Sequence, residues 1–249
     1  MTTHLNPQWR RLTALLPLGL ALAVLHSPLD QRALAADAPG DKGAAGTGGL
    51  VPLNLDLPHA AFIGTPPNDL QTNSYTEPYD PNKHRPPMLV PPGLKNIARG
   101  SKITCSDTNV PADTLAKLTD EDKEAYDESV IFLRKGTQYV QMDLVSPHEV
   151  FAIVIWHAHN MLKVYHSVMV QAADDPAFKQ QVHTLFNNDQ ENRSGLGVGT
   201  DREYFETREG KLIDAKGIKA RYLRFYSHGS TNGAMNEYTE IEVYGRPAK

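Results

Sequence analysis

The chain has 249 residues, 22% of them charged, with 18 glycines, 18 prolines, one cysteine and a formal net charge of −4. A single cysteine excludes an internal disulfide scaffold and the multi-thiolate metal sites, so a bound metal must use oxygen or nitrogen ligands, which favours a hard cation. The acidic balance excludes a surface built to neutralise phosphates, and nucleic acid is not an expected partner.

In chain order, residues 1–35 read as a signal peptide. Arg10 and Arg11 form a short basic region, Leu12 to Leu25 is an uncharged apolar run of 14 residues, and Ala33-Leu34-Ala35 is a small-residue cleavage signature. A membrane span needs about 20 apolar residues. The expectation is therefore cleavage near Ala35 and an exported mature chain, periplasmic or extracellular, without a membrane span, with an uncleaved N-terminal anchor as the alternative because Pro17 interrupts the apolar run. The arginine pair leaves Sec and twin-arginine export both open.

Residues 36–50 are almost all small or polar and read as a flexible linker. Ten prolines fall between positions 51 and 92, among them the pairs Pro66-Pro67, Pro86-Pro87 and Pro91-Pro92. Such a density forbids regular helix and central strand. The same stretch carries Leu53, Leu55, Leu57, Phe62, Ile63, Tyr75 and Tyr79, more apolar material than a free linker needs. Residues 51–93 are expected to be an extended arm lying on the domain that follows, with a disordered stalk as the alternative.

From 94 to 249 turn signals separate short strand-like runs. Tyr139 to Leu144 alternates, placing Val140, Met142 and Leu144 on one face, and Glu149 to Trp156 reads as a buried strand. Val164 to Gln171, Val182 to Asn187, Arg221 to Ser227 and Tyr238 to Tyr244 continue the series. Only Asp113 to Tyr126 has a helical look. About eight strands in this length predict an all-β domain, a jelly-roll β-sandwich.

Several constellations could carry chemistry. Asp120 to Glu128 holds six acidic residues in nine, and Asp120 and Asp122 are spaced to point into one loop, although such a run is often only a solvated face. Trp156-His157-Ala158-His159-Asn160 closes a predicted strand. If the strand persists, His157 and His159 share a face and could bind a metal or present donors beside an indole. The loop from Phe186 to Gly199 has GxGxG spacing without a following helix, so it is read as a polar loop rather than a phosphate cradle. The loop from Ser227 to Asn236 offers His228, Asn232 and Asn236 but no nucleophile arrangement.

Taken in order, Asn96-Ile97-Ala98 with Gly100, Leu118-Thr119-Asp120, Tyr139 to Leu144, Val168 to Gln171 with Asp174-Asp175, Ala220 to Arg224, and Glu240 to Gly245 resemble the discoidin, or coagulation factor C-type, domain. This is the galactose-binding-like jelly roll that also includes family 32 carbohydrate-binding modules. The resemblance covers about 150 residues. It implies a structural calcium ion held by Asp120, Asp122 and Glu240 with nearby backbone oxygens, although Glu121 stands where the family turn has glycine. It also implies a ligand face on loops at one end of the sandwich, to which Trp156, His157, His159, Asn160 and His228 bring an aromatic surface and hydrogen-bonding groups. The expected function is that of an exported, non-catalytic module binding carbohydrate or another cell-surface ligand. A protein-interaction or envelope-assembly module is the alternative, and a His-based metalloenzyme a third reading.

Overall fold

A computed structural model of the chain describes residues 49–60, 72–82 and 84–249. The signal-peptide reading and nearly all of the linker reading lie outside the described residues. The described residues belong to one unit, Gly46–Lys249.

The unit is built from strands. They are β1 (Val51–Pro52), β2 (Leu89–Val90), β3 (Lys95–Asn96), β4 (Lys102–Cys105), β5 (Ile131–Leu133), β6 (Gln138–His157), β7 (Met169–Ala173), β8 (His183–Asn187), β9 (Lys211–Ser227) and β10 (Asn236–Pro247). One 3-10 helix, Thr114–Thr119, lies between β4 and β5. Strands β1 and β2 form a separate two-stranded ladder, and the other eight join one hydrogen-bonded network in the order β3-β10-β6-β9-β7-β8, with β4 on β6 and β5 on β10. The first half of β6 pairs with β4 and with the end of β9, whereas its second half pairs with β10 and with the start of β9. Strands β6 and β9 thus run through both layers of an all-β sandwich.

The bend between halves is local chemistry. In β6 the register shifts between Asp143 and His148, Val145 turns to φ 71°, and the Asp143 side chain accepts the Val145 N–H at 2.8 Å. In β9 Lys216 and Gly217 take φ 54° and 73°, and a Cβ on Gly217 would lie 2.9 Å from the Phe151 ring. A β-branched residue in the left-handed region is strained, so the corner at Val145 is held by the ladders on either side of it.

The core lies where the alternation places it. Val140, Met142 and Leu144 are buried in one cluster with Leu223 and Phe225 of β9, Val170 and Ala172 of β7, and Ile153, Ile155, Ile241 and Val243. Fully burying one such side chain is worth about 1.5–3 kcal/mol. On the opposite face of the same strands the Arg224 guanidinium lies 4.4 Å from the Tyr139 ring and 4.2 Å from that of Phe178.

The expected strands at Tyr139–Leu144 and Glu149–Trp156 are two halves of β6. Strand β9 begins ten residues before the expected Arg221, because Ile213 and Ala215 reach the core from an otherwise polar stretch. Val164 and Tyr165 make isolated bridges, and continuous pairing starts only at Met169. The helical expectation for Asp113–Tyr126 is met by a six-residue 3-10 helix alone. Asp113 makes no side-chain capping bond there, and Glu121 at φ 74° stops any continuation.

In the proline-rich stretch, Thr76 bridges Glu203, with the Glu77 N–H donating to Glu203 O at 2.8 Å and the Glu203 N–H to Tyr75 O at 3.1 Å. Asn73 donates to Glu203 Oε2 at 2.9 Å, and the Tyr79 ring meets Phe205 edge-on at 5.3 Å. Arg85 donates to the carbonyl oxygens of Glu209 and Gly210.

Candidate functional site

Three groups of residues carry the site chemistry. The first lies where the 3-10 helix ends against the start of the long pairing between β10 and β6. Glu121, at φ 74°, adopts the left-handed conformation that glycine takes most easily, and this lets its N–H donate to Glu240 Oε1 at 3.2 Å. Glu240 is fully buried. Its Oε2 and the neighbouring Thr239 Oγ1 are buried oxygens without a hydrogen-bond partner. Burial pushes the Glu240 carboxyl up to about 9, the Glu121 N–H opposing and Asp120 and Glu242 adding to the rise. Asp122 is differently engaged: its Oδ2 accepts from Ser129 Oγ at 2.7 Å and its Oδ1 from the Glu124 N–H at 3.1 Å.

Among the described residues no three His, Cys, Asp or Glu side chains are grouped to hold a metal ion. A cation here would therefore combine few carboxylates with hydroxyl and backbone oxygens, a mixture suited to calcium with its about six to eight oxygen ligands. The orphaned Thr239 Oγ1 and Glu240 Oε2 fit that requirement, since buried oxygens without partners are costly unless something satisfies them.

The second group is the end of β6, where Trp156, His157 and His159 are all buried. Trp156 and His157, as consecutive strand residues, face opposite sides. The Trp156 indole N–H donates to Arg208 O at 2.9 Å. A Cβ on Gly210, at φ 62°, would lie 2.8 Å from the same ring, so glycine lets that turn cover it. His157 stacks on Tyr165 at 4.3 Å and tilts against Tyr238 at 4.7 Å, with its Nδ1 3.0 Å from Glu206 Oε2. The strand ends at His157, so His159 is placed by a loop and lies with Nε2 2.9 Å from Lys123 O. Glu206 is the partner that sequence reasoning missed; it is 49 positions away, and no local pattern marks it.

The third group lies on adjoining loops. His228 Nδ1 is 2.8 Å from Thr137 Oγ1, which also donates to Arg193 O at 3.3 Å. Asn232 reaches the sulfur of Met161 at 3.5 Å, which brings the loop carrying Asn160 beside the loop carrying His228. Asn160, Met161 and Asn232 are exposed and His228 is half-buried. Burial, followed by the nearby Arg193 charge, lowers the His228 pKa. The structure thus leaves Asn160 exposed and His228 half-buried on two loops that meet at Met161 and Asn232, and it buries Trp156, His157 and His159.

No family model matches the chain, and no curated protein matches it. Among solved structures it is similar to chitosan-binding module 1 of a chitosanase/glucanase from Paenibacillus sp. IK-5, at 16% identity and a TM-score of 0.41 over 61% of this chain and 99% of that one. It is also similar to the CBM32 of AlyQ in complex with 4,5-unsaturated mannuronic acid, at 17% identity and a TM-score of 0.40 over 57% and 92% of the two chains. A fucose-binding module of Streptococcus pneumoniae, SpX-3, matches at 15% identity and a TM-score of 0.40 over 61% and 98%. At this level of likeness none of the three assigns a ligand or a site.

Proposed function

We propose that the chain is an exported, non-catalytic binding module with the jelly-roll form of the discoidin domain, recognising carbohydrate or another cell-surface ligand through its loops and braced by calcium. The observation that carries the ligand reading is the meeting of the 158–163 and 228–233 loops, where the Asn232 amide touches the exposed Met161 and Asn160 and His228 stand on the same two loops. Planar donors and acceptors next to an apolar surface suit a sugar, whose hydroxyls need directional partners and whose C–H face needs contact. The loops belong to a rigid sandwich, which keeps the geometry in place before the ligand arrives.

Asp120 and Glu240 would hold the calcium ion with Thr239 Oγ1 and backbone oxygens. Bound there, the ion supplies positive charge to a buried carboxylate and ties the 120–129 loop to β10. Affinity gels cast with different polysaccharides test the ligand reading. Retardation of the wild type that is lost in His228→Ala and Asn160→Ala supports it; equal migration of wild type and variants in every gel, with calcium present and the fold intact, rejects it.

A further inference from the structure

Four strands of the network, β3, β4, β5 and β8, each pair with a single neighbour. A free strand edge is a template for another strand, and proteins blunt such edges with lysines or cover them. Strand β3 carries Lys95 and β4 carries Lys102. The edge of β8 is covered at its end, where the Asn187 N–H donates to Asp201 Oδ2 at 2.7 Å and the Asp201 N–H to Asn187 O at 2.9 Å. Strand β5 has neither protection. Its three residues are Ile131, Phe132 and Leu133, and their backbone pairing lies within the ladder to β10.

The surroundings of β5 fit a second strand. Phe132 is 46% exposed, whereas its neighbours Ile131 and Leu133 are buried in the core. Beside it runs a groove of about 450 Å3, whose apolar side is Val110, Pro111, Phe132 and the equally exposed Met235. Charges of opposite sign flank the strand: Asp127 and Glu128 are exposed just before it, Arg134 and Lys135 just after it. Lys117 donates to the Glu128 carbonyl oxygen rather than to its carboxylate, and the Arg134 side chain comes only within 3.7 Å of Asp107. The Asp107 carboxylate also accepts the Arg134 N–H at 2.7 Å, which closes the edge after Leu133 and confines further pairing to β5 itself.

A second copy of this chain answers these features together. A two-fold axis at Phe132 sets β5 antiparallel to its own copy. The acidic end of each strand then lies beside the basic end of the other, and the two exposed phenylalanines meet at the axis. A parallel arrangement would set acid against acid. We propose that β5 is a dimerisation edge, through which two chains pair antiparallel and extend one sheet across both. A three-residue edge makes a small interface, of the kind that forms and breaks reversibly. Two joined chains would carry every ligand loop twice, a gain in avidity that rests on the function proposed above; the pairing itself does not.

Sedimentation velocity of the full chain over a dilution series tests it, with circular dichroism to confirm that each variant is folded. The wild type should pass from monomer to dimer as concentration rises, and added salt should weaken the dimer. Phe132→Asp should abolish it. Glu128→Lys and Lys135→Glu, both at exposed positions outside the strand, should each raise the dimer Kd about tenfold. An equimolar mixture of these two variants should recover the dimer, because a chain basic at both ends then meets one acidic at both. The proposal is overturned by a wild type that is monomeric at every concentration, which would leave the edge to a different protein. It is equally overturned by a folded Phe132→Asp that dimerises like the wild type, or by a mixture no more dimeric than its components.

Discussion

Glu240 is the residue on which the proposed calcium ion would act most strongly. A carboxylate buried in a strand, with one oxygen on the Glu121 N–H and the other unpartnered beside Thr239 Oγ1, is destabilising when charged and alone. With calcium bound, the fold should gain about 2.7 kcal/mol once the ion is at a hundred times its Kd. A thermal melt should rise on adding calcium and fall back with chelator, and Glu240→Gln should remove that response while melting higher than the wild type in chelator. Equal midpoints for the wild type with and without calcium would remove the brace. Asp143 gives a pH prediction of the opposite kind. Two hydrogen bonds from Arg221, at 2.8 and 2.9 Å, hold its carboxyl below the usual carboxylate range. The folded pKa lies below the unfolded one, so this stabilisation is present at neutral pH and is lost as pH falls through the folded value. Urea unfolding of Asp143→Asn should show a shallower loss of stability in acid than the wild type, and parallel acid limbs would contradict the assignment. That Asp120 lies near Glu240 was legible because both stand at fixed places in a recognisable series of segments. The Thr239 hydroxyl and the pairing of Glu206 with His157 were not, since both arise only when distant strands meet.

At the scale of elements, the long strands work because they bend. Val145 is exposed and sits at φ 71°, so Val145→Gly gives up little burial and relieves a left-handed conformation that costs an L-residue roughly 1–2 kcal/mol. That variant should unfold at higher denaturant with an unchanged slope. Gly217→Ala should do the reverse, since the added methyl meets Phe151 at 2.9 Å and the backbone φ is 73°. Strand identity was legible wherever burial alternates cleanly, as from Tyr139 to Leu144. It was not legible across the corner, because Pro147 and the polar turn around it look like the end of one strand and the start of another. The early half of β9 was hidden for the same reason: Lys211 to Lys219 alternates only weakly and owes its pairing to β6. The aromatic and imidazole cluster at Trp156 and His157 reads as a ligand surface in sequence, yet β10 and the 206–210 stretch bury it, and sequence alone does not say what covers a strand end.

Across the whole unit, the sandwich sets three devices apart. The 120–129 loop reaches β10 through the Glu121 N–H on Glu240, Asn232 of one exposed loop meets Met161 of another, and the proline-rich stretch bridges Glu203. The long loops and the arm supply the polar chemistry while the strands supply the rigidity. The most direct measurement of the central claim is a glycan array probed with the full chain in calcium. Retention on a restricted set of glycans, reduced by His228→Ala, is the predicted result; no retention on any glycan by a protein that is folded and calcium-loaded would contradict it.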